Sequence, residues 1–239
     1  MNHALIALWA PLAPSPLLWI VLTLGAYALA RLLQRLGREA AFINPVLVAI
    51  VVMGVILIAT RTPYKDYLEG AQFINFLLGP TTVALAVPLA RNFHQVRTTL
   101  RGVSLALIGG SIASIVGGVG LVWILGGSRD VALSMAPKGV TTPIAMAVSQ
   151  QIGGIPALTA AFAIIAGIIA AIVGRRLLSR LNIEDGREHG FAAGVAGSGV
   201  AAAQVTSLGS LAAAFAALGI ALNGVLTALI APIIIRLWQ

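Results

Sequence analysis

The chain has 239 residues, of which 59% are hydrophobic and 9% charged, and its formal net charge is +8. Its mean hydropathy is +1.00. Soluble domains carry about 25% charged residues, so this composition argues against a soluble protein. The sequence contains no cysteine, which excludes disulfides, thiolate metal ligands and cysteine nucleophiles.

Charged residues are spaced so widely that whole membrane spans fit between them. Asp, Glu, Lys and Arg are absent from 40–60, 70–90, 102–128, 139–174 and 189–235. A helix needs about 20 apolar residues to cross a bilayer, so we predict an all-α, polytopic membrane protein with about seven to eight transmembrane segments. Connections are short, and we expect 1–239 to form a single transmembrane domain. In chain order the apolar segments are 17–33, 41–60, 71–90, 103–125, 130–152, 155–174, 190–208 and 211–235.

The first segment is interpreted as a retained span, because the 16 residues before it hold no Lys or Arg and so lack the basic start of a cleaved signal peptide.

Three basic clusters lie between or at the ends of the apolar segments, and the positive-inside rule places all of them in the cytoplasm. They are Arg31, Arg35 and Arg38; Arg91, Arg97 and Arg101; and Arg175, Arg176 and Arg180.

The spacing of these clusters predicts one segment that enters and leaves the membrane on the same side. Two apolar segments separate the first and second clusters, but three separate the second and third. Pro137, Lys138 and Pro143 interrupt segment 130–152, which makes it the candidate. We favour seven spans plus a re-entrant hairpin, with an extracytoplasmic N-terminus. The alternative is eight full spans, with the positive-inside rule broken once.

A Gly-x-Thr-Thr pattern occurs at 79–82 and again at 139–142, each time inside an apolar segment. Glycine and proline interrupt helices, while threonine favours the N-cap and Pro143 suits the first helical turn. Both segments are therefore predicted to be discontinuous helices, and the repetition suggests an inverted repeat with the two helix starts facing each other.

A helix that restarts in the membrane leaves free N–H groups and a positive dipole end, and such starts hold anionic substrate groups in transporters. Lys138 lies in the second break, where a buried cation costs about 2.5–3.5 kcal/mol and favours an anion. The alternative is that Lys138 extends to the membrane surface and the breaks are simple kinks. The predicted substrate-binding residues are Lys138, Gly139, Thr141 and Thr142 in one break, and Pro80, Thr81 and Thr82 in the other.

Other polar residues give weaker signals. Asn44, followed by Pro45, is interpreted as a bend in the second segment or a site contact. Ser198, Gln204 and Asn223 are possible further site residues, although bonding between helices is favoured for each. His189 is interpreted as a solvated loop residue. Small residues spaced by four, at Gly110, Ser114 and Gly118 and again at Gly190 and Gly194, indicate close helix packing.

The acidic residues all lie in loops or at segment ends, so no proton relay in mid-membrane is predicted. No Walker A sequence occurs, and no catalytic grouping of side chains is apparent, so we expect neither an enzyme nor a cofactor or metal. The basic residues lack interleaved aromatics, so nucleic acid is not an expected partner.

The sequence also resembles a known family, the LrgB/CidB membrane proteins. Residues 135–149, with Pro-Lys-Gly-Val-Thr-Thr-Pro at 137–143, are similar to its signature, as are 152–156, 78–89, 44–48 and 223–232. The family pattern Ser-His-Gly-x-Gly-Thr-Ala-Arg is changed here, because Ser198 replaces the histidine and Gln204 the arginine. If those two residues handle a proton or a carboxylate in the family, this chain lacks them.

The resemblance implies a protein of the cytoplasmic membrane with one of two roles. Such proteins are described as antiholin-like, acting with a small LrgA/CidA-type membrane protein to modulate murein hydrolase activity and autolysis. Plastid relatives resemble glycolate/glycerate transporters, and bacterial pairs are linked to pyruvate. The predicted anion site agrees with a transporter or facilitator for small carboxylates, and the antiholin-like role is the alternative. No residue decides whether the chain forms a homo-oligomer.

Overall fold

The structure, a computed structural model, describes residues 15–37, 44–77, 80, 84 and 86–237, and these residues form helices and turns without any strand. The all-α prediction is confirmed for this part of the chain. In order, the helices are α1 (Pro16–Leu36), α2 (Pro45–Thr60), α3 (Tyr64–Gly70), α4 (Gln72–Phe76), α5 (Ala86–Arg91), α6 (Phe93–Thr98), α7 (Leu100–Ile124), α8 (Arg129–Met135), α9 (Thr142–Ile152), α10 (Pro156–Arg180), α11 (Gly186–Val205), a 3₁₀ turn (Thr206–Leu208) and α12 (Ser210–Leu237).

Five of these helices are long and apolar enough to cross a membrane: α1, α7, α10, α11 with its 3₁₀ extension, and α12. A sixth span results if α2 and α3, which meet at a bend of 120°, are counted as one. The chain is therefore a multi-pass helical membrane protein. Seven or eight spans are not reached among the described residues, so that number stays a prediction.

The chain divides into two compact units, 1–84 and 85–239. In the first unit, α1 packs on α3 through Trp19, which is 1% exposed and meets the Tyr67 ring edge to face at 5.7 Å. Asn44 begins α2, because its side chain accepts hydrogen bonds from the N–H groups of Val46 and Leu47 at 2.9 and 3.2 Å. Asn44 and Pro45 therefore mark the start of α2; whether segment 41–60 bends there depends on residues 41–43, which lie outside the described residues.

In the second unit, α11 lies closely against α12 because glycines face its partner's backbone. A methyl group at Gly190 would lie 2.1 Å from the Ala212 carbonyl oxygen, and one at Gly194 would lie 2.3 Å from that of Ala216. The predicted close packing at Gly190 and Gly194 is confirmed. This contact brings the middle of α11 beside α12, where the candidate site is built.

Candidate functional site

The segment between α7 and α10 is broken where the sequence predicts it. Residues 136–141 form turns between α8 and α9. Thr141 occupies the N-cap position in an extended conformation, α9 begins at Thr142, and Pro143 lies in its first turn. The predicted restart at the threonine pair is confirmed, although the Thr141 hydroxyl makes no capping hydrogen bond.

The two halves of this broken segment form a hairpin. The Ile155 N–H, just beyond α9, donates to the Ser134 hydroxyl of α8 at 2.8 Å. A methyl group at Gly154 would lie 2.9 Å from the Ser134 backbone nitrogen. The chain therefore leaves Ser134, turns at 136–141 and returns to Ser134, with Lys138 near the tip.

Lys138 lies against the middle of α7. Its ammonium donates to the Ser114 carbonyl at 2.5 Å and approaches the Ser114 hydroxyl at 3.3 Å. Ser114 is ten residues from the end of α7 at Ile124, which is about 15 Å along the helix axis. A methyl group at Gly118 would lie 2.5 Å from Lys138 Nζ, so glycine at this position makes room for the ammonium.

The positive charge of Lys138 has no acidic neighbour in the described part of the chain. The two ion pairs found there join Lys65 to Glu69 and Arg187 to Asp185. This half-buried ammonium is held by a carbonyl and a hydroxyl, and neither group carries a negative charge that would offset it. Such a group attracts an anion.

Asn223 of α12 connects this break to a second one. Its amide Nδ2 donates to the Gly139 carbonyl at 3.0 Å and to the Val195 carbonyl of α11 at 2.9 Å. Its Oδ1 accepts from the hydroxyls of Ser111 at 2.6 Å and Thr227 at 3.2 Å. Asn223 is 1% exposed and makes hydrogen bonds at both ends of its amide, so it acts here as a link between helices.

The second break is at Ser198, three residues after Val195 in α11. Ser198 has φ 49° and ψ −138°, which is not helical and is unfavourable for any residue except glycine. Its side chain is 7% exposed, and its hydroxyl has no hydrogen-bond partner among the described residues. A strained residue with an unpaired buried hydroxyl is a feature found at functional sites.

The sequence contains a signal for this second break that pattern reasoning missed. Ser198 is flanked by Gly197 and Gly199, and no proline marks the interruption. A methyl group at Gly197 would lie 2.7 Å from Ala170 Cβ and 3.3 Å from Gly167 Cα, both on α10. Gly197 thus allows α10 and α11 to approach closely at the break.

The structure describes the other predicted site residues only in part. Thr81 and Thr82 lie outside the described residues, and Pro80 is helical and exposed, so the pairing of the two Gly-x-Thr-Thr breaks stays a prediction. Gln204 is half-buried near the end of α11, and Asn44 caps α2 in the first unit.

The interpretation of His189 as a solvated loop residue is wrong. His189 lies in the first turn of α11 and is 4% exposed. Its Nε2 is 2.8 Å from the Ile183 carbonyl oxygen, and its Nδ1 has no partner among the described residues. The chain before α11 folds back over the helix start, which the local sequence does not indicate.

Comparison with known proteins agrees with the sequence resemblance. A model of the LrgB-like family matches residues 23–237. An antiholin-like protein LrgB of Bacillus mycoides is 30% identical over 218 residues, covering 91% of this chain and 95% of that protein. A holin-like protein CidB of Staphylococcus epidermidis is 28% identical over 221 residues, covering 92% and 96%. An uncharacterised protein of Haemophilus influenzae is 29% identical over 221 residues, covering 92% and 95%. No solved structure matches the chain.

Proposed function

Since this chain belongs to the LrgB-like family, we propose that it is an antiholin-like protein of the cytoplasmic membrane that modulates murein hydrolase activity. It acts together with a small LrgA/CidA-type membrane protein. The observation that carries this proposal is the alignment of more than nine-tenths of the chain with relatives named antiholin-like and holin-like.

Deletion of the gene tests this role. We expect the mutant to lyse at a different rate in detergent and to show a changed pattern of murein hydrolase bands on a zymogram. A tagged copy of the chain should restore both and should co-purify with a small membrane protein. Unchanged lysis together with purification of the chain alone would contradict the proposal.

A second function is favoured by Lys138: passage of a small carboxylate, such as glycolate, glycerate or pyruvate. The ammonium contacts Ser114 at the middle of α7, and α9 begins four residues further along the chain. A cation and a helix start that lie this close along the chain both favour a carboxylate. Gly139, Thr141 and Thr142 complete the proposed site.

The hairpin supports a re-entrant arrangement of this segment. Ser134 and Ile155 are hydrogen-bonded, so both ends of the hairpin lie on one side of its tip. α7 and α10 then cross the membrane in opposite directions, and the arginines before α7 lie on the same side as those at the end of α10. This satisfies the positive-inside rule and favours seven spans plus one hairpin.

Uptake into proteoliposomes tests the carboxylate proposal. Lys138→Ala should abolish uptake of labelled glycolate, glycerate or pyruvate, because the cation that attracts the anion is lost. Lys65→Ala is the matched control, since Lys65 is the only other lysine and its side chain is exposed beside Glu69. Equal uptake by the wild type and by Lys138→Ala would refute the site assignment.

The two proposals are separable. If the chain is only a regulator, Lys138→Ala restores normal lysis to the deletion strain and no carboxylate is taken up by any variant. If carboxylate passage underlies the lysis effect, the same variant fails in both assays.

A further inference from the structure

The last three turns of α10 carry two arginines beside an apolar surface. Arg176 and Arg180, four residues apart and therefore neighbours on one helix face, line a shallow hollow of about 250 Å³. The other residues that line it are Ile172, Val173 and Leu177. The lining of the hollow thus combines two cationic side chains with three apolar ones.

The apolar side of the hollow continues along the helix as an exposed stripe. Ile165, Ile169, Val173 and Leu177 repeat every fourth residue and are 52%, 55%, 47% and 53% exposed. Twelve residues of helix extend about 18 Å, and half of the hydrocarbon core of a bilayer is about 15 Å thick. The stripe therefore matches the depth of one membrane leaflet, with the arginines at its outer edge.

We propose that this surface of α10 binds one anionic phospholipid, with the phosphate on Arg176 and Arg180 and an acyl chain along Ile165–Leu177. Arginine presents several N–H donors in a planar fork that matches phosphate oxygens. No described carboxylate lies within 4.0 Å of the Arg180 guanidinium, so no acidic side chain among the described residues neutralises its charge. Basic residues at the cytoplasmic ends of spans bind such headgroups.

This occupant fits better than a free phosphate or a second copy of the chain. A free phosphate would contact the arginines but would leave the apolar lining of the hollow and the apolar stripe without a binding partner. A second copy would place the same two cations opposite each other, which is unfavourable. A lipid contacts the arginines and the apolar side chains together, because one molecule carries both a phosphate and acyl chains.

Arg175 provides a matched control. It belongs to the same basic cluster and is exposed like Arg176 and Arg180, but it does not line the hollow. Removing it lowers the net charge by the same amount. A difference between the variants therefore reports the hollow itself rather than the overall charge.

Native mass spectrometry of the purified full chain in detergent tests the proposal, with phosphatidylglycerol or phosphatidylcholine added. We expect one phosphatidylglycerol to bind in preference to phosphatidylcholine. Arg180→Gln should weaken that binding roughly fivefold, as expected for one arginine at a lipid surface, and Arg176→Gln/Arg180→Gln should weaken it further. Arg175→Gln should leave it unchanged.

Three outcomes would overturn the proposal: equal weakening in Arg175→Gln, equal binding of both lipids, or complete competition by millimolar inorganic phosphate. The last would indicate a site for a free anion. Arg180→Lys keeps the charge but loses the fork, and it should bind with intermediate affinity. Thermal melting of each variant without lipid shows whether it is folded before the binding data are compared.

Discussion

The two helix breaks of the second unit are built differently, although the amide of Asn223 donates beside both. The first break spans six residues, 136–141; it contains Pro137, and Pro143 follows it in the first turn of α9. The second consists of a single residue, Ser198, with helix on both sides. The prolines in the local sequence predict the first break. No proline predicts the second, which lies where α10 and α11 approach closely.

The difference suggests different roles for the two breaks. The first places a cation, Lys138, at the tip of a hairpin and fixes it on Ser114. The second contains a strained residue whose buried hydroxyl has no partner in the part of the chain that the structure describes. The hairpin is thus the anion-binding half in our proposal, and α11 is the half with stored strain that could change conformation.

The largest effect is expected from removing the link between the breaks. Asn223→Ala removes the partner of two buried carbonyls and of the Ser111 and Thr227 hydroxyls. Each such group costs about 1–3 kcal/mol in soluble proteins and about 0.6 kcal/mol on average in membranes, so we expect a loss of about 2–4 kcal/mol. Tryptophan fluorescence during thermal unfolding in detergent measures it. Thr227→Val, which removes one bond to the same amide, should cost about 0.6 kcal/mol; equal losses would mean that Asn223 does not join the breaks.

A smaller effect is expected from filling the space beside Lys138. In Gly118→Ala the new methyl group would lie 2.5 Å from Lys138 Nζ, so the end of the lysine side chain must shift. Gly117→Ala is the control, because a methyl group there meets nothing within 4 Å. Relative to that control, we expect about 1–2 kcal/mol lower stability and reduced carboxylate uptake. Identical behaviour of the two variants would place the ammonium elsewhere.

A substitution at Ser198, the second break, should raise the stability of the protein, whereas the two changes above lower it. Ser198→Gly relieves the positive φ at the cost of a more flexible unfolded chain, and we expect a gain of about 0.5–1 kcal/mol. Ser198→Ala keeps the strain and removes only the unpaired hydroxyl, so its gain should be smaller. Chemical denaturation of both variants provides the comparison. A loss of stability in Ser198→Gly would show that the hydroxyl, not the backbone, decides the energy at this position.

The smallest effect concerns the start of the helix that carries the second break. Asp185 caps α11 by accepting from the Arg187 N–H at 2.8 Å, and the Arg187 side chain also donates to it. The side-chain hydrogen bond from Arg187 is the main cause that lowers the pKa of Asp185. A carboxylate with a lowered pKa stabilises the fold above its unfolded pKa, about 3.9, and loses this contribution as pH falls through the folded value.

Melting temperatures measured at pH 7 and near pH 3 check this expectation. The wild type should exceed Asp185→Asn at pH 7, and the difference should shrink at the acidic value. A difference that does not change with pH would mean that the charge of Asp185 contributes nothing and that capping by a neutral amide is equivalent.

How far the sequence predicts this protein differs between its parts. Apolar length predicts the long helices closely: segment 103–125 corresponds to Leu100–Ile124, and 211–235 to Ser210–Leu237. Pro137, Gly139 and Pro143 predict the broken segment and Thr142 its restart. These features follow from local rules, because proline removes a hydrogen-bond donor and an apolar run of sufficient length has no better solvent than lipid.

Other features were decided by tertiary structure. The spacing of Ser114 and Gly118 indicates close helix packing. Only the tertiary structure shows that the Lys138 ammonium is what lies against both residues. His189 is buried and lies against the Ile183 carbonyl of the preceding loop, which its position beside Glu188 does not indicate. The sequence predicts that Asn223 is a buried amide, but it does not identify its partners, which come from three other segments.

The sequence by itself thus determined a multi-pass helical membrane protein, its family and the place where one segment breaks. Those properties depend on residues near each other in the chain. The fold decided which break Asn223 joins to the first, where the Lys138 charge lies, and that α11 is interrupted at Ser198. These depend on contacts between helices far apart in sequence, where the space left by a glycine or the reach of one amide selects the arrangement.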